Sequence, residues 1–163
     1  MAMSLLEESR EEALRKVRIR ATDISTRVLA KARQGVYPAE RFEGVAQTLM
    51  QRYLLKGQNA SASMYRFKNE VRSMILFEHL NLMDELPKDY RCSVIFCRNM
   101  MIYFDKATQQ DLVRRLSANL EDGGYFLIGH SESLNGLSHG FEYVAPATYR
   151  KPMRAGGRQN GGR

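Results

Sequence analysis

The pattern of apolar and polar residues predicts a helix, a strand and a second helix in the first part of the chain. Residues 3–16 place leucines and an alanine on one helical face, with glutamate and arginine on the other. From Val17 to Thr22 apolar and polar residues alternate strictly, which is the period of a strand. Ser25 then stands where a helix N-cap is expected, and Gly35 with Pro38 ends the predicted helix.

The middle of the chain predicts one more helix and a small hairpin. Residues 39–56 have helical spacing and end at Gly57. In MYRFKNEVRSMILFEHLNL, Tyr65 and Phe67 alternate with charged residues, and an apolar run follows at 74–77. This segment therefore predicts strand, turn, strand.

Two apolar runs dominate the second half, SVIFC from Ser93 and YFLIG from Tyr125. Neither alternates cleanly, which is typical of strands covered on both faces. Between them an amphipathic helix is expected to end at Gly123 and Gly124, and the last apolar segment predicts a strand pair bent at Pro146.

Short apolar strands that alternate with helices predict an α/β fold with a mostly parallel sheet. The 163 residues suffice for one ordinary domain with a core of its own. The predicted organisation is a domain over residues 1–152 that contains a small inserted antiparallel β-subdomain at 53–77, followed by a disordered basic tail at 153–163.

Composition narrows the class of protein. Hydrophobic residues make up 44% of the chain and charged residues 26%, as in globular proteins. No apolar run approaches the roughly 18 residues of a membrane helix, and the opening MAMSLLEESREEALRK has no signal-peptide core.

The two cysteines, Cys92 and Cys97, are predicted to be thiols in a reducing compartment. Five residues apart on a strand they would lie about 16 Å from each other, whereas a disulfide needs alpha carbons within about 7 Å. With only three scattered histidines beside them, they form no metal-ligand cluster.

The net charge of +7 is concentrated near one end of the chain. Five positive residues and no acidic one lie between Arg150 and Arg163, so the rest of the chain is nearly balanced. A preference for acidic partners follows, and a nucleic-acid role would depend on the tail alone.

Polar residues follow four predicted strands at their carboxyl ends: Asp23, Asn81, Arg98 with Asn99, and His130 with Ser131 and Glu132. In open α/β sheets, ligands bind beyond the carboxyl ends of the strands. Convergence of these residues would form a nucleotide-type crevice, with an acidic residue on the ribose hydroxyls. That acidic residue normally lies about 20 residues after a glycine-rich turn. Counting back from Asp23 reaches the start of the chain, so a truncated sheet without its first strand and glycine loop is expected.

Five segments together resemble the CheR-type chemotaxis receptor glutamate methyltransferases: IRATDISTRVLAKARQGVYP, QRYLLKG, LFEHLNLMD, VIFCRNMMIYFDKATQ, and GGYFLIGHSES with the later TYRKP. The resemblance covers about residues 3–152, and IFCRNMMIYFD followed by GHSES is its most specific part. It implies a Rossmann-like S-adenosylmethionine-dependent methyltransferase sheet, of which this chain is the C-terminal part.

The resemblance also implies roles for individual residues. Asp23 would hold the ribose, and Asn81 with Leu82 would line the adenine side. Arg98 and Asn99 would lie under the cofactor, and the catalytic Tyr103 would face the substrate carboxylate.

The implied activity is methyl transfer from S-adenosylmethionine to glutamates on the cytoplasmic helices of chemotaxis receptors. The protein would be cytoplasmic, would approach the membrane only through those receptors, and would bind no nucleic acid. The subdomain at 53–77 resembles one that grips a receptor's C-terminal peptide in some members. Since the N-terminal part is expected to be missing, the chain alone is predicted to be weakly active or inactive.

Several alternatives stay open on the residues alone. Asp23 is also suited to cap the following helix, Arg98 to bridge to Asp105, and Tyr103 to sit in the core with its hydroxyl at the edge. His130 fits a hydrogen-bonded strand-end histidine better than a base. At the level of the whole protein, the alternatives are a non-catalytic receptor-docking module and a nicotinamide dehydrogenase, and the second would need a glycine fingerprint.

Overall fold

The computed structural model describes residues 1–87 and 90–153. The chain divides into two compact units, residues 1–81 and residues from Leu82 onward. The first unit has two small sheets and the second unit has one, and each unit has its own core.

The first unit contains five helices and five strands. They are α1 (Ala2–Glu8), α2 (Arg10–Lys16), β1 (Ile19–Asp23), α3 (Thr26–Gln34), β2 (Val36–Pro38), α4 (Gln47–Tyr53), β3 (Leu54–Lys56), β4 (Met64–Phe67), α5 (Asn69–Arg72) and β5 (Ile75–His79), with short 3₁₀ turns at Ala39–Phe42 and Asn59–Ser61.

Two predicted helices are interrupted in the structure. The one predicted at 3–16 is two short helices, because Ser9 has an extended backbone with φ of −158°. Serine favours such breaks because its hydroxyl competes for backbone hydrogen bonds. The one predicted at 39–56 is a 3₁₀ turn, then α4 and then the strand β3, and Gly44 between the turn and α4 has φ of +79°.

Strand β1 pairs in parallel with β5, from Ile19 beside Ile75 to Asp23 beside His79. The three other strands form an antiparallel sheet in the order β2–β4–β3. The predicted subdomain range of 53–77 therefore differs from this small sheet, which includes Val36–Pro38 and leaves out Ile75–Phe77. The apolar run at 74–77 joins the parallel pair instead, where Met74 is buried beside Val71.

The second unit is built on one βαβ crossover. Its elements are β6 (Cys92–Cys97), a 3₁₀ turn (Met101–Tyr103), α6 (Lys106–Asn119), β7 (Leu120–Ile128), β8 (Glu142–Ala145) and β9 (Thr148–Arg150). The sheet order is β6–β7–β9–β8, with β6 and β7 parallel and the other pairs antiparallel. The strand pair predicted around Pro146 is thus confirmed.

Helix α6 covers one face of this sheet. Leu112, Val113 and Leu116 are buried in one cluster with Phe126 and Ile128. The helix ends at Asn119, earlier than the predicted glycine stop. Its last carbonyls are satisfied by Lys151, whose Nζ donates to the oxygens of Ser117 and Leu120 at 2.8 and 2.7 Å.

Coverage of β6 on both faces was predicted from its continuous apolar run, and this prediction is wrong for the described residues. Val94 and Phe96 are 44% and 51% exposed, while Cys97 belongs to the buried cluster. The reason is that α6 packs on one face of the strand only.

Both cysteines are thiols, as predicted, at the two ends of β6. No helix among residues 1–87 and 90–153 has the length and apolar character needed to cross a bilayer. The predicted basic tail lies, from residue 154 onward, outside the described residues.

Candidate functional site

The carboxyl end of β1 carries Asp23 in a tight turn that leads into α3. The Oδ1 atom of Asp23 accepts a hydrogen bond from the Ser25 N–H at 2.7 Å. Ser25 in turn accepts one from the Val28 N–H through its Oγ at 3.3 Å and is the N-cap of the helix. The cap is therefore Ser25, as predicted, and Asp23 supports the turn before it rather than capping α3 itself.

Asn81 follows β5, the strand that pairs with β1. Asp23 is level with His79 in the parallel pair, and the Leu80 N–H donates to the backbone carbonyl of Asp23 at 3.2 Å. The segment that contains Asn81 is thereby held against the end of β1. The structure brings these two predicted cofactor residues to one edge of one sheet.

The carboxyl end of β6 carries Arg98 and Asn99, both exposed. Asn99 has φ of +58°, a left-handed conformation that asparagine tolerates better than most residues. It turns the chain into the 3₁₀ turn of Met101–Tyr103. In that turn Met101 is buried at 2% exposure while Tyr103 is 77% exposed. A core position for Tyr103, one of the alternatives, is thus excluded.

Arg98 lines a cavity of about 120 Å³ at the ends of β6 and β7. The other lining residues are Phe96, Leu127, Ile128, His130, Pro146, Ala147 and Thr148. The salt bridges of the described residues do not include one between Arg98 and Asp105, which was the alternative role for Arg98. Asp105 instead caps α6 by accepting the Thr108 N–H at 2.8 Å, and this hydrogen bond lowers the pKa of the Asp105 carboxyl.

Leu82 begins the second unit and packs, half buried, against the cluster that contains Leu112. It therefore lies in a different unit from Asn81, its neighbour in the sequence. The predicted residues form two groups, Asp23 with Asn81 in the first unit, and Leu82, Arg98, Asn99 and Tyr103 in the second. Convergence of the two groups stays a prediction.

Glu132 is the residue whose importance sequence reasoning missed. It was noted only as one of several polar residues after a strand. Its carboxylate accepts hydrogen bonds from the backbone N–H groups of Asn99, Met100, Met101 and Gly129, at 2.6–2.9 Å. Partial burial raises the pKa of this carboxyl, but the four donors outweigh that effect and hold the pKa below the usual glutamate value.

The Cys97 thiol lies next to this arrangement. Burial raises its pKa to about 11, and the negative charge of Glu132 acts in the same direction. Cys97 is therefore a neutral, packed thiol at physiological pH and not a nucleophile. Among the described residues no cluster of histidine, cysteine, aspartate and glutamate is suited to hold a metal ion.

Comparison with known proteins assigns a family to this arrangement. Residues 1–150 match the family described as "CheR methyltransferase, SAM binding domain". A chemotaxis protein methyltransferase from Borreliella burgdorferi is 42% identical over 137 residues, which is 83% of this chain and 47% of that protein.

Two further relatives are also named as chemotaxis protein methyltransferases. Chemotaxis protein methyltransferase 2 of Pseudomonas aeruginosa is 42% identical over 134 residues, covering 82% of this chain and 48% of its own length. The chemotaxis protein methyltransferase of Escherichia coli is 37% identical over 133 residues, with coverages of 79% and 46%. The chain spans about half the length of these curated relatives. The match runs through both compact units and all the strand-end residues described above. The chain therefore belongs to the CheR methyltransferase family, and its residues 1–150 match the S-adenosylmethionine-binding domain of that family.

Proposed function

We propose that this chain is the cofactor-binding part of a protein-glutamate O-methyltransferase that modifies chemotaxis receptors in the cytoplasm. The observation that carries the proposal is the family match over residues 1–150, which includes every strand-end residue predicted to act. The receptors' cytoplasmic helices are the proposed substrate, and the enzyme would reach the membrane only through them. No nucleic-acid partner is proposed.

The residues of the first unit suit the nucleoside part of S-adenosylmethionine. A carboxylate offers about four acceptor sites, and the Ser25 N–H occupies only one at Asp23. The remaining sites are suited to the two ribose hydroxyls, which are donors. Asn81 lies at the same sheet edge and is proposed for the adenine side. When bound, the cofactor supplies a methyl group activated by its attachment to a sulfonium.

The proposed reaction needs no general base. A receptor glutamate has a pKa of about 4.3 and is already ionised at neutral pH. Its carboxylate would take the methyl group without a base, as the carbon–sulfur bond breaks and the neutral thioether S-adenosylhomocysteine leaves. The protein's work is then alignment of the reacting atoms, which is worth up to about 7–11 kcal/mol. The exposed Tyr103 hydroxyl is suited to orient the carboxylate by one hydrogen bond.

Arg98 is proposed to act on the cofactor side and not as a clamp on the nucleophile. An arginine bound tightly to the attacking carboxylate would stabilise the ground state and slow the reaction. The position of Arg98 at the end of β6, on the wall of the small cavity, fits a role beneath the cofactor together with Asn99.

Activity of these residues alone is expected to be weak or absent, because the chain spans about half the length of its relatives. The second candidate function is a receptor-docking module without turnover. The small sheet β2–β4–β3 favours it, since an antiparallel sheet of its own offers edge strands to an extended peptide.

Calorimetric titration with S-adenosylhomocysteine, the demethylated product, tests the proposal. Saturable binding that is lost in Asp23→Ala and kept in Glu43→Ala is the expected result. Glu43 is the matched control because it is an exposed carboxylate elsewhere in the same unit. If the folded chain binds a receptor peptide but no S-adenosylhomocysteine, the proposed function is wrong and the docking module takes its place.

A further inference from the structure

The carboxylate of Glu132 joins the ends of the two parallel strands of the second unit. Its Oε2 accepts from the N–H of Asn99 at 2.9 Å and from that of Gly129 at 2.6 Å. Its Oε1 accepts from Met100 at 2.9 Å and from Met101 at 2.7 Å. Three consecutive amides after β6 and one amide after β7 therefore converge on a single side chain.

The backbone after β6 is shaped to hold an anion. Asn99 is left-handed with φ of +58°, and Met100 is right-handed with φ of −114° and ψ of −43°. Successive residues of opposite handedness turn their N–H groups to the same side and form an anion-binding nest. Here a side chain of the protein occupies the nest.

Gly129 provides independent evidence that this contact is specific. A Cβ at this position would lie 2.5 Å from Oδ1 of Asn99 and 2.7 Å from Oε2 of Glu132. Both distances are shorter than real Cβ contacts, and the backbone nitrogen of Asn99 lies at 3.0 Å. A side chain at this position would therefore have to displace the Glu132 carboxylate and the Asn99 side chain from the places they occupy.

No cation shares the Glu132 carboxylate among the described residues, so its charge is balanced by amide dipoles alone. Each of its oxygens accepts two hydrogen bonds. A glutamine at this position would keep one acceptor oxygen and would place an NH₂ donor against two backbone donors. The site therefore distinguishes a carboxylate from an amide of the same shape.

We propose that Glu132 is a positioning residue, which holds Arg98–Tyr103 in the conformation that presents Arg98 and Asn99 to the cofactor and Tyr103 to the substrate. Its carboxylate contacts neither ligand, since both oxygens are occupied by backbone donors. The functional half of this inference rests on the proposed function, whereas the structural half, the filled nest, does not.

Amide hydrogen exchange measured by NMR tests the structural half. In Glu132→Gln, the amide pair that faces the new NH₂ group, either Asn99 with Gly129 or Met100 with Met101, should exchange at least about tenfold faster, because it loses a charged acceptor. The amide of Phe126, inside β7, reports whether the sheet is intact and should not change. Glu142→Gln is the matched control, because Glu142 is an exposed glutamate on β8 of the same unit.

Chemical rescue separates an anion nest from a general packing role. In Glu132→Ala, formate at tens of millimolar should restore slow exchange of these amides, whereas chloride at equal ionic strength should not. Formate should have no effect on Glu132→Gln, whose side chain still fills the nest. Equal exchange in wild type and Glu132→Gln, or equal effects of formate and chloride, would overturn the proposal. If Glu132→Gln does not fold, Glu132→Asp replaces it, and intermediate exchange is expected because the charge is kept at a shorter reach.

Titration with S-adenosylhomocysteine tests the functional half. Wild type should bind, Glu132→Gln should bind at least about tenfold more weakly, and formate should restore binding in Glu132→Ala. If wild type and Glu132→Gln bind equally while the amides are loosened, the positioning role is refuted and the proposed function stands. If wild type does not bind, the proposed function and the positioning role fail together, and the exchange data still decide whether Glu132 fills the nest.

Discussion

The Tyr53 hydroxyl donates a hydrogen bond of 2.6 Å to Oε1 of Glu7 and so joins the end of α4 to α1. Arg52 donates to the same oxygen, also at 2.6 Å. Tyr53 is almost fully buried, at 1% exposure, and its hydroxyl has this carboxylate as its partner. The hydrogen bonds from Tyr53 and Arg52 lower the pKa of Glu7. The first unit therefore depends on an ionised glutamate for one of its helix–helix contacts.

The stabilisation that the Tyr53–Glu7 contact gives to the folded protein should be lost in acid. Because the pKa of Glu7 is lowered in the folded state, its contribution is present above the ordinary value of 4.5 and disappears as the pH falls through the folded pKa. Chemical unfolding at pH 7 and at pH 3 should show a smaller acid-induced loss of stability in Tyr53→Phe than in wild type. Equal losses in both proteins would contradict the assignment. Tyr143→Phe, on an exposed tyrosine, is the control.

Substitution of Asp23 should weaken cofactor binding without unfolding the first unit. In Asp23→Asn the remaining carbonyl oxygen still accepts the Ser25 N–H, but the new NH₂ group cannot accept from a ribose hydroxyl. Loss of a charged hydrogen bond costs about 1.5–3 kcal/mol, which is about 10–150-fold in affinity. Calorimetry with S-adenosylhomocysteine measures it, and thermal melting verifies the fold. An unchanged affinity would remove Asp23 from the ribose site.

The two cysteines should react at very different rates with iodoacetamide. Burial raises the pKa of Cys97 to about 11, so at pH 8 only about one thiol in a thousand is ionised. Cys92 is half exposed at the other end of β6. Mass spectrometry of the folded chain should find Cys92 alkylated first, and Cys92→Ser should abolish the fast phase. Fast labelling of Cys97 would mean that the second unit opens or that Glu132 is displaced.

Truncation of the α6 core should destabilise the second unit strongly. Leu112 has 0% exposure and packs in the cluster that includes Phe126. Leu112→Ala should lower the free energy of unfolding by about 2–5 kcal/mol, from lost apolar burial and the cavity left behind. Arg114→Ala, on the exposed side of the same helix, should change it by no more than about 0.5 kcal/mol. Denaturant melts followed by circular dichroism measure both variants, and similar losses in both would contradict the packing described.

Local structure was predictable where one short segment decides it. Alternation from Val17 to Thr22 predicted β1, and Ser25 was identified as the cap of α3. The same local patterns failed where a backbone feature interrupted them. Ser9 and Gly44 break predicted helices because each adopts a non-helical φ that the surrounding apolar spacing does not reveal.

The sequence by itself determined the α/β class, the polar strand ends and, through its motifs, the family, because side-chain period, capping and motif spacing are properties of neighbouring residues. Only the tertiary structure decided that β5 pairs with β1 instead of joining the small sheet, and that Glu132 fills the nest at Asn99–Met101. Both depend on segments more than thirty residues apart in the chain. A side chain that accepts from backbone amides about thirty residues away leaves no local signature, unlike a helix cap, and this is why Glu132 was recognised only after the two strand ends had been brought together.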